Sequence, residues 1–440
     1  MSNKITIPIV RKELLFPFII ITSLFALWGI ANDLTNPMVS AFKKVMPELS
    51  NVQASLVQFA FYFGYFFMAL PAALFIRKYS YKSGIILGLS LYAIGAFLFY
   101  PAAENEQFNY FLISLWIITC GLAFLETTSN PLILSMGDKE TATQRLNLAQ
   151  AFNPIGSLTG MIIAQVFVIE ALRSDDFTNE AYNALTSKEL AAIRENDLEI
   201  ISIPYIALGV LVLIIMGIII FTKMPKTSEK DKMSLSESFH KLFANKNYKQ
   251  GVIAQAFYVG AQIMCWTYVY QYVDNINDTL GLELTATYFN VTAMIIFLTG
   301  RWIGTALMKT VNPSKMLLLF GIGGVLFCGG AIVGGGVIGL YSLVGVSFFM
   351  SIMFPTIYGI ALKDMGDEAK IGSAGLVMAI VGGALMPIAQ GWILDWGGSG
   401  FSDIKILGFI PEVNFSFILP LICLSVVAYY GYNTLKSPQK

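Results

Sequence analysis

Charge is scarce in this sequence. Only 13% of its 440 residues are Asp, Glu, Lys or Arg, against about a quarter in a soluble protein of this size. Histidine is nearly absent, and the single one, His240, lies in a polar stretch; that argues against hydrolase or transferase chemistry built on an imidazole inside a membrane. No phosphate-binding GxxxxGK[ST] loop occurs, so ATP does not drive the protein directly. The four cysteines, Cys120, Cys265, Cys328 and Cys423, all fall inside apolar runs. They offer neither a disulfide framework nor metal-ligand spacing and read as packing residues. The first apolar run follows Arg11 and Lys12, contains Asn32, Asp33 and Asn36, and lacks a small-residue cleavage site, so it reads as a retained span rather than a leader. The expectation is a protein that is not an enzyme and uses no cofactor and no metal. GIGGVLFCGGAIVGGG (321–336) has the glycine spacing of a dinucleotide fingerprint, but no strand precedes it, and close helix packing explains it better.

What is present is hydrophobic: 56% of the chain. Apolar runs of membrane-spanning length recur throughout. Twelve spans are expected, at 16–41, 52–76, 83–101, 108–136, 144–169, 201–222, 250–273, 284–308, 315–333, 335–362, 371–394 and 413–434. The turn between the ninth and tenth rests only on the Gly334–Gly336 run. With twelve spans both termini share a side, and 21 of the 28 lysines and arginines fall there, with six opposite and Arg301 within a span. That excess makes the amino-terminal side cytoplasmic. Residues 170–200 form an acidic outer loop with room for a short surface helix, and 223–249 form a basic cytoplasmic segment.

That segment divides the chain into 1–222, a first six-helix bundle, and 250–440, a second. The halves repeat each other weakly: MIIAQ (161–165) returns as MPIAQ (386–390), Asn130–Pro131 as Phe354–Pro355, and the basic turn Arg77–Lys78…Lys82 as Lys309…Lys315. The fold expected is an all-α membrane protein of twelve transmembrane helices in two pseudo-symmetric six-helix bundles. Transporters of this construction bind substrate near the bilayer midplane between the repeats.

Three charged residues then remain deep in the membrane: Asp33, Glu126 and Arg301. Glu126 is the only charged residue between Glu106 and Asp138. At about 1.5 Å per residue it lies about 18 Å from Asp138, and Asp33 lies about 15 Å from Lys43. Both depths are near the middle of a hydrocarbon layer of about 30 Å. Each such charge costs about 2.5–3.5 kcal/mol on insertion scales, and intramembrane ionisable groups are functional by default. Helix packing through a neutral carboxyl is the alternative for both, more so for Asp33 beside Asn32 and Asn36. Arg301, about 12 Å from the cytoplasmic face, is a gate residue, a charge partner or a structural cation.

Polar residues cluster on the same spans. Span one reads WGIANDLTN; span five reads NLAQAFN, where Gln150 and Asn153 are spaced to share a helical face. Span seven reads QAFYVGAQIMCW, a stripe of Gln255, Tyr258, Gln262 and Trp266 at spacings of three, four and four. Amides that pair with hydroxyls and rings that cover a C–H face suit a neutral sugar, although interhelical hydrogen bonding and aromatic packing would use the same residue types.

FALWGIANDLTN, FAFYFGYFFMALPAALFIRKYSYKSGI, GLAFLETTSNP, RLNLAQAFN, QAFYVGAQIMCW, GRWIGTAL and FPTIYGIALKDMG together resemble the fucose permease branch of the major facilitator superfamily, which comprises sugar:proton symporters. The likeness runs from about Phe16 to the last span. It implies that Glu126 takes part in proton translocation and that Trp28, Gln150, Asn153, Tyr258, Gln262 and Trp266 line the sugar cavity. Asn32, Asn36, Asn130 and Tyr358, from the same motifs, are counted with them. The branch usually carries L-N-D in span one; here Leu34–Thr35–Asn36 puts an amide in the acidic slot, and Asp33, almost one turn back, is the expected substitute. The basic turn after span two is also degenerate, with Ile76 where an acid is usual.

The resulting expectation is import of a neutral monosaccharide, L-fucose or a related hexose, by proton symport. Sodium coupling, uncoupled facilitation, drug efflux and a non-transporting sugar sensor are the alternatives. The partners are the sugar, protons and the lipid bilayer, with no nucleic acid. The chain is expected to be a monomer in a bacterial-type inner membrane with both termini cytoplasmic.

Overall fold

A computed structural model describes residues 7–35, 38–46, 49, 51–177, 185–225, 234–394 and 405–436. Asn36 and Pro37 lie outside the described residues. Twelve helical segments are long and apolar enough to cross a membrane: Lys12–Thr35, Phe59–Lys78, Tyr81–Glu104, Phe108–Ser135, Lys139–Ala171, Ser187–Phe221, Lys246–Leu280, Ala286–Leu307, Pro313–Val333, Gly336–Ala361, Gly366–Leu394 and Glu412–Lys436. They follow the twelve spans expected from hydropathy. All four cysteines are buried and reduced.

The sixth span differs from its expected limits. Its helix starts at Ser187 rather than near residue 201, because Thr186 and Glu189 form a reciprocal capping box that satisfies otherwise orphaned amides. The surface helix anticipated in the outer loop is therefore the first turns of span six. Buried Asp197 on this helix accepts hydrogen bonds from the Arg173 and Ser174 amides, each at 2.9 Å, tying the chain after span five to it. The central segment also holds a helix, Leu235–Ala244, with a Ser234–Glu237 capping box. The glycine run between spans nine and ten does make the turn: Gly335 and Gly336 have φ of 59° and 45°, a region that side chains strongly disfavour.

By packing, the described residues form two compact units. One comprises those of Met1–Arg11, Ile133–Ala151 and Lys232–Lys440, the other those of Lys12–Leu132 and Phe152–Asp231. Span five thus contributes its first half to one unit and its second half to the other. In the second unit, span one packs on residues 153–163 through small residues. A Cβ on Gly29 would collide with the Asn153 carbonyl oxygen, and one on Gly156 with that of Ala26. Helix backbones in a membrane approach this closely only through such residues. In the first unit, spans nine and twelve meet in the same way at Gly321 and Gly431.

Candidate functional site

The fourth span is a single helix, Phe108–Ser135, despite Pro131. Glu126 is half-buried on it and is followed by four fully buried polar residues, Thr127, Thr128, Ser129 and Asn130. Two of these side chains bond back to the helix: Thr128 Oγ1 donates to the Phe124 carbonyl at 2.5 Å and Asn130 Nδ2 to that of Glu126 at 3.0 Å. The hydroxyls of Thr127 and Ser129 have no hydrogen-bond partner among the described residues. The apolar span therefore carries a polar belt one turn long, with the carboxylate at its head.

A second group in the same unit is held where spans one and five meet. Trp28 is 3% exposed, lies edge-on to Phe25 at 4.3 Å, and its Nε1 has no partner among the described residues. Asn153 Nδ2 donates to the Phe25 carbonyl at 3.2 Å, which ties the second half of span five to span one. Asn32, one turn on, is half-buried with its Oδ1 unpartnered among the described residues, and Asp33 beside it is also half-buried.

The other unit holds the remaining candidates. Gln255 is fully buried, and neither atom of its amide has a partner among the described residues; the hydroxyl of Tyr258, one helical step on, is likewise buried and unpartnered. Tyr258 meets Phe354 at 6.3 Å, and Phe354 stacks on Tyr358 at 6.3 Å. Gln262 is half-buried. Trp266 donates from Nε1 to Ser347 Oγ at 3.2 Å and packs edge-on against Phe297 at 5.1 Å. The other neighbour of Phe297 is Arg301, whose guanidinium lies 4.7 Å from the ring centroid, a cation–π arrangement.

Arg301 is 3% exposed, and no described carboxylate pairs with it. Its Nη1 donates to the Gln150 carbonyl at 3.0 Å and its Nε to the Ser351 carbonyl. These two acceptors have a common origin. Span five is interrupted at Ala151–Phe152, just before Pro154, and span ten at Ser351–Ile352, just before Pro355. A proline has no amide to give the carbonyl four residues back; four back from Pro154 is Gln150, and four back from Pro355 is Ser351. One guanidinium satisfies both freed carbonyls.

The break in span five alters one expectation. Gln150 and Asn153 belong to separate helices, Ala142–Gln150 and Asn153–Ile163, and to different compact units, so regular helical spacing does not place them on a common face. Other polar contacts were not anticipated. Gln144 Nε2 donates to the Thr305 carbonyl at 3.0 Å and Asn147 Nδ2 to Thr356 Oγ1 at 3.1 Å. Arg145, one of the cations counted from sequence on the cytoplasmic side, is fully buried. Its Nε and Nη2 cap the fourth span through the Ile133 and Leu134 carbonyls at 2.8 and 2.5 Å. The proline offsets were readable in the sequence; the distant partner of the freed carbonyls was not.

The model of the Major Facilitator Superfamily matches residues 14–388. The chain is 53% identical over 433 residues to the L-fucose-proton symporter of Haemophilus influenzae, covering 97% of this chain and 98% of that one. It is 34% identical to the L-fucose-proton symporter of Escherichia coli, covering 96% and 93%. A solved structure of a variant of the E. coli fucose:proton symporter FucP superposes with a TM-score of 0.85 at 31% identity, covering 96% of this chain and 99% of that one. With twelve apolar spans, two proline-broken helices and a mid-span carboxylate already in place, these likenesses show that the chain is a multi-pass membrane protein of the Major Facilitator Superfamily, in its fucose permease branch.

Proposed function

We propose that this chain imports L-fucose or a closely related neutral hexose by proton symport with alternating access. The observation that carries the reading is Glu126: a half-buried carboxyl at the head of a buried hydroxyl and amide belt, in a chain 53% identical to an L-fucose-proton symporter. A carboxyl can take up a proton from one side and release it to the other as access to it alternates, without itself crossing the membrane. One proton moving inward gains about 2.3 kcal/mol per 100 mV. Asp33 serves as a second proton-handling group in span one.

Sugar recognition falls to Trp28, Asn32, Asn36, Asn130, Gln150, Asn153, Tyr258, Gln262, Trp266 and Tyr358, with Gln255 added; their amides and hydroxyls supply hydrogen bonds and their rings an aromatic face. Buried amides such as that of Gln255 gain from hydroxyl partners, which lowers the cost of their burial on binding. Arg301, fixed by two carbonyls, acts as a structural cation at the helix breaks rather than as a proton carrier.

In this reading 1–222 and 250–440 are the two bundles and 223–249 is the cytoplasmic connection. The protein works as a monomer in a bacterial-type inner membrane with both termini inside. The test is to add single sugars to lightly buffered cells expressing the chain while recording external pH. Alkalinisation on adding L-fucose, absent in Glu126→Gln, is expected. Sugar uptake that follows a sodium gradient, or persists in Glu126→Gln with its full pH dependence, would overturn the proton assignment.

A further inference from the structure

Where the first span begins and the sixth ends, within one compact unit, lies an open groove of about 440 Å³ lined by Glu13, Phe16, Pro17, Ile218, Phe221, Thr222 and Lys223. This is in the range of small-molecule clefts, about 300–1,000 Å³. Both ends reach the same membrane surface, because an odd span starts there and an even span finishes there. The groove thus falls at the boundary between hydrocarbon and headgroups, on the side assigned above to the cytoplasm.

Phe221 is 89% exposed and Phe16 61%, apolar rings open to a lipid acyl chain. The rim carries one charge of each sign, Glu13 and Lys223, both exposed, and neither forms an ion pair with another described residue. The wall is fixed rather than frayed: Lys82 Nζ holds the Ile220 and Thr222 carbonyls at 2.7 and 2.9 Å, and Thr222 Oγ1 holds that of Ile218 at 2.7 Å. The carbonyls ending span six are therefore already satisfied, and Lys223 is left to face a ligand.

We propose that this groove binds one phosphatidylethanolamine molecule. An acyl chain lies on Phe16, Pro17, Ile218 and Phe221, the phosphate meets the Lys223 ammonium, and the ethanolamine ammonium donates hydrogen bonds to the Glu13 carboxylate. The choice of headgroup follows from the rim. Phosphatidylglycerol offers no cation to Glu13 and is repelled by it. Phosphatidylcholine has a cation but no N–H to donate. Only a headgroup with both a phosphate and a primary ammonium matches both charges.

The full chain, purified and reconstituted in vesicles of equal parts phosphatidylcholine, phosphatidylethanolamine and phosphatidylglycerol, is re-extracted in mild detergent and its retained lipid is counted by native mass spectrometry. Enrichment of phosphatidylethanolamine is expected. Lys223→Gln lowers its retention about fivefold, the worth of one surface lysine to a lipid phosphate. Glu13→Gln removes the preference over phosphatidylcholine while leaving phospholipid bound. Both positions are exposed, so neither change threatens folding, and no sugar need be present. Retention in bulk proportion, preference for phosphatidylglycerol, or unchanged retention in both variants would overturn the proposal.

Discussion

Glu126 and Arg301 are both charged residues deep within spans, and the chain treats them in opposite ways. Glu126 sits half-buried on an unbroken helix, with buried hydroxyls after it and no counter-ion among the described residues. Arg301 is 3% exposed and is held between an aromatic ring and two carbonyls at helix breaks. The difference follows from chemistry. A guanidinium keeps its charge under all ordinary conditions, so its burial has to be matched locally and permanently. A carboxyl can become neutral by taking a proton, so it can be left without such a partner, which is the freedom a carrier needs. Arg145 follows the same rule, since its Nε and Nη2 also end on backbone carbonyls.

The largest expected effect attacks the fixed side of this comparison. Arg301→Met leaves two buried carbonyls without donors and should lower stability by about 2–6 kcal/mol, read as a fall in the unfolding temperature of the purified protein. The same change in a Pro154→Ala, Pro355→Ala background should cost clearly less, because each alanine returns an amide to the Gln150 and Ser351 carbonyls. Equal costs in the two backgrounds would mean that the proline-freed carbonyls are not what Arg301 satisfies.

Next comes the mobile side. Glu126→Gln should remove the proton-driven accumulation of sugar, a loss of about fiftyfold per 100 mV, while exchange of labelled for unlabelled sugar across the membrane continues. Stability should change little, because no hydrogen bond to another described residue is lost from the carboxylate. A strong fall in unfolding temperature would make Glu126 a packing residue like Arg301.

Smaller effects separate binding from packing. Gln255→Leu should raise the sugar KM about tenfold while leaving stability equal or higher, since a buried amide without partners is replaced by an apolar group. A loss of stability with unchanged KM would place Gln255 among the structural amides. Smallest of all, Lys82→Met should cost about 0.3–1 kcal/mol by removing a cation from the end of the sixth-span helix, seen as faster amide exchange over Ile218–Thr222.

Much of this was legible in the sequence. Hydropathy and the lysine bias gave the number of spans, and Glu126 stood out because no other charge lies within the thirty-one residues between Glu106 and Asp138. The seventh-span stripe of Gln255, Tyr258, Gln262 and Trp266 does lie on one continuous helix, because helical spacing is local and reads directly. The reading weakened wherever a helix did not continue. Gln150 and Asn153 were paired by a period that Pro154 interrupts, and the start of span six was placed late because the Thr186–Glu189 cap lies in a polar stretch that hydropathy ignores.

By itself, then, the sequence determined the solvent this protein lives in, the twelve crossings and the deep charges Asp33, Glu126 and Arg301, because each depends on composition and spacing along one segment. A proline frees the carbonyl four residues back on its own helix, but Pro71, Pro131, Pro204 and Pro387 also lie inside helices, so the sequence alone did not single out the Gln150 and Ser351 carbonyls. That the guanidinium of Arg301 would supply both, that Arg145 would turn inward to cap span four, and that Asn153 would bond to the Phe25 carbonyl were decided by tertiary structure alone. Those contacts join residues 11 to 151 positions apart, and only the packing of the helices brings such partners within reach.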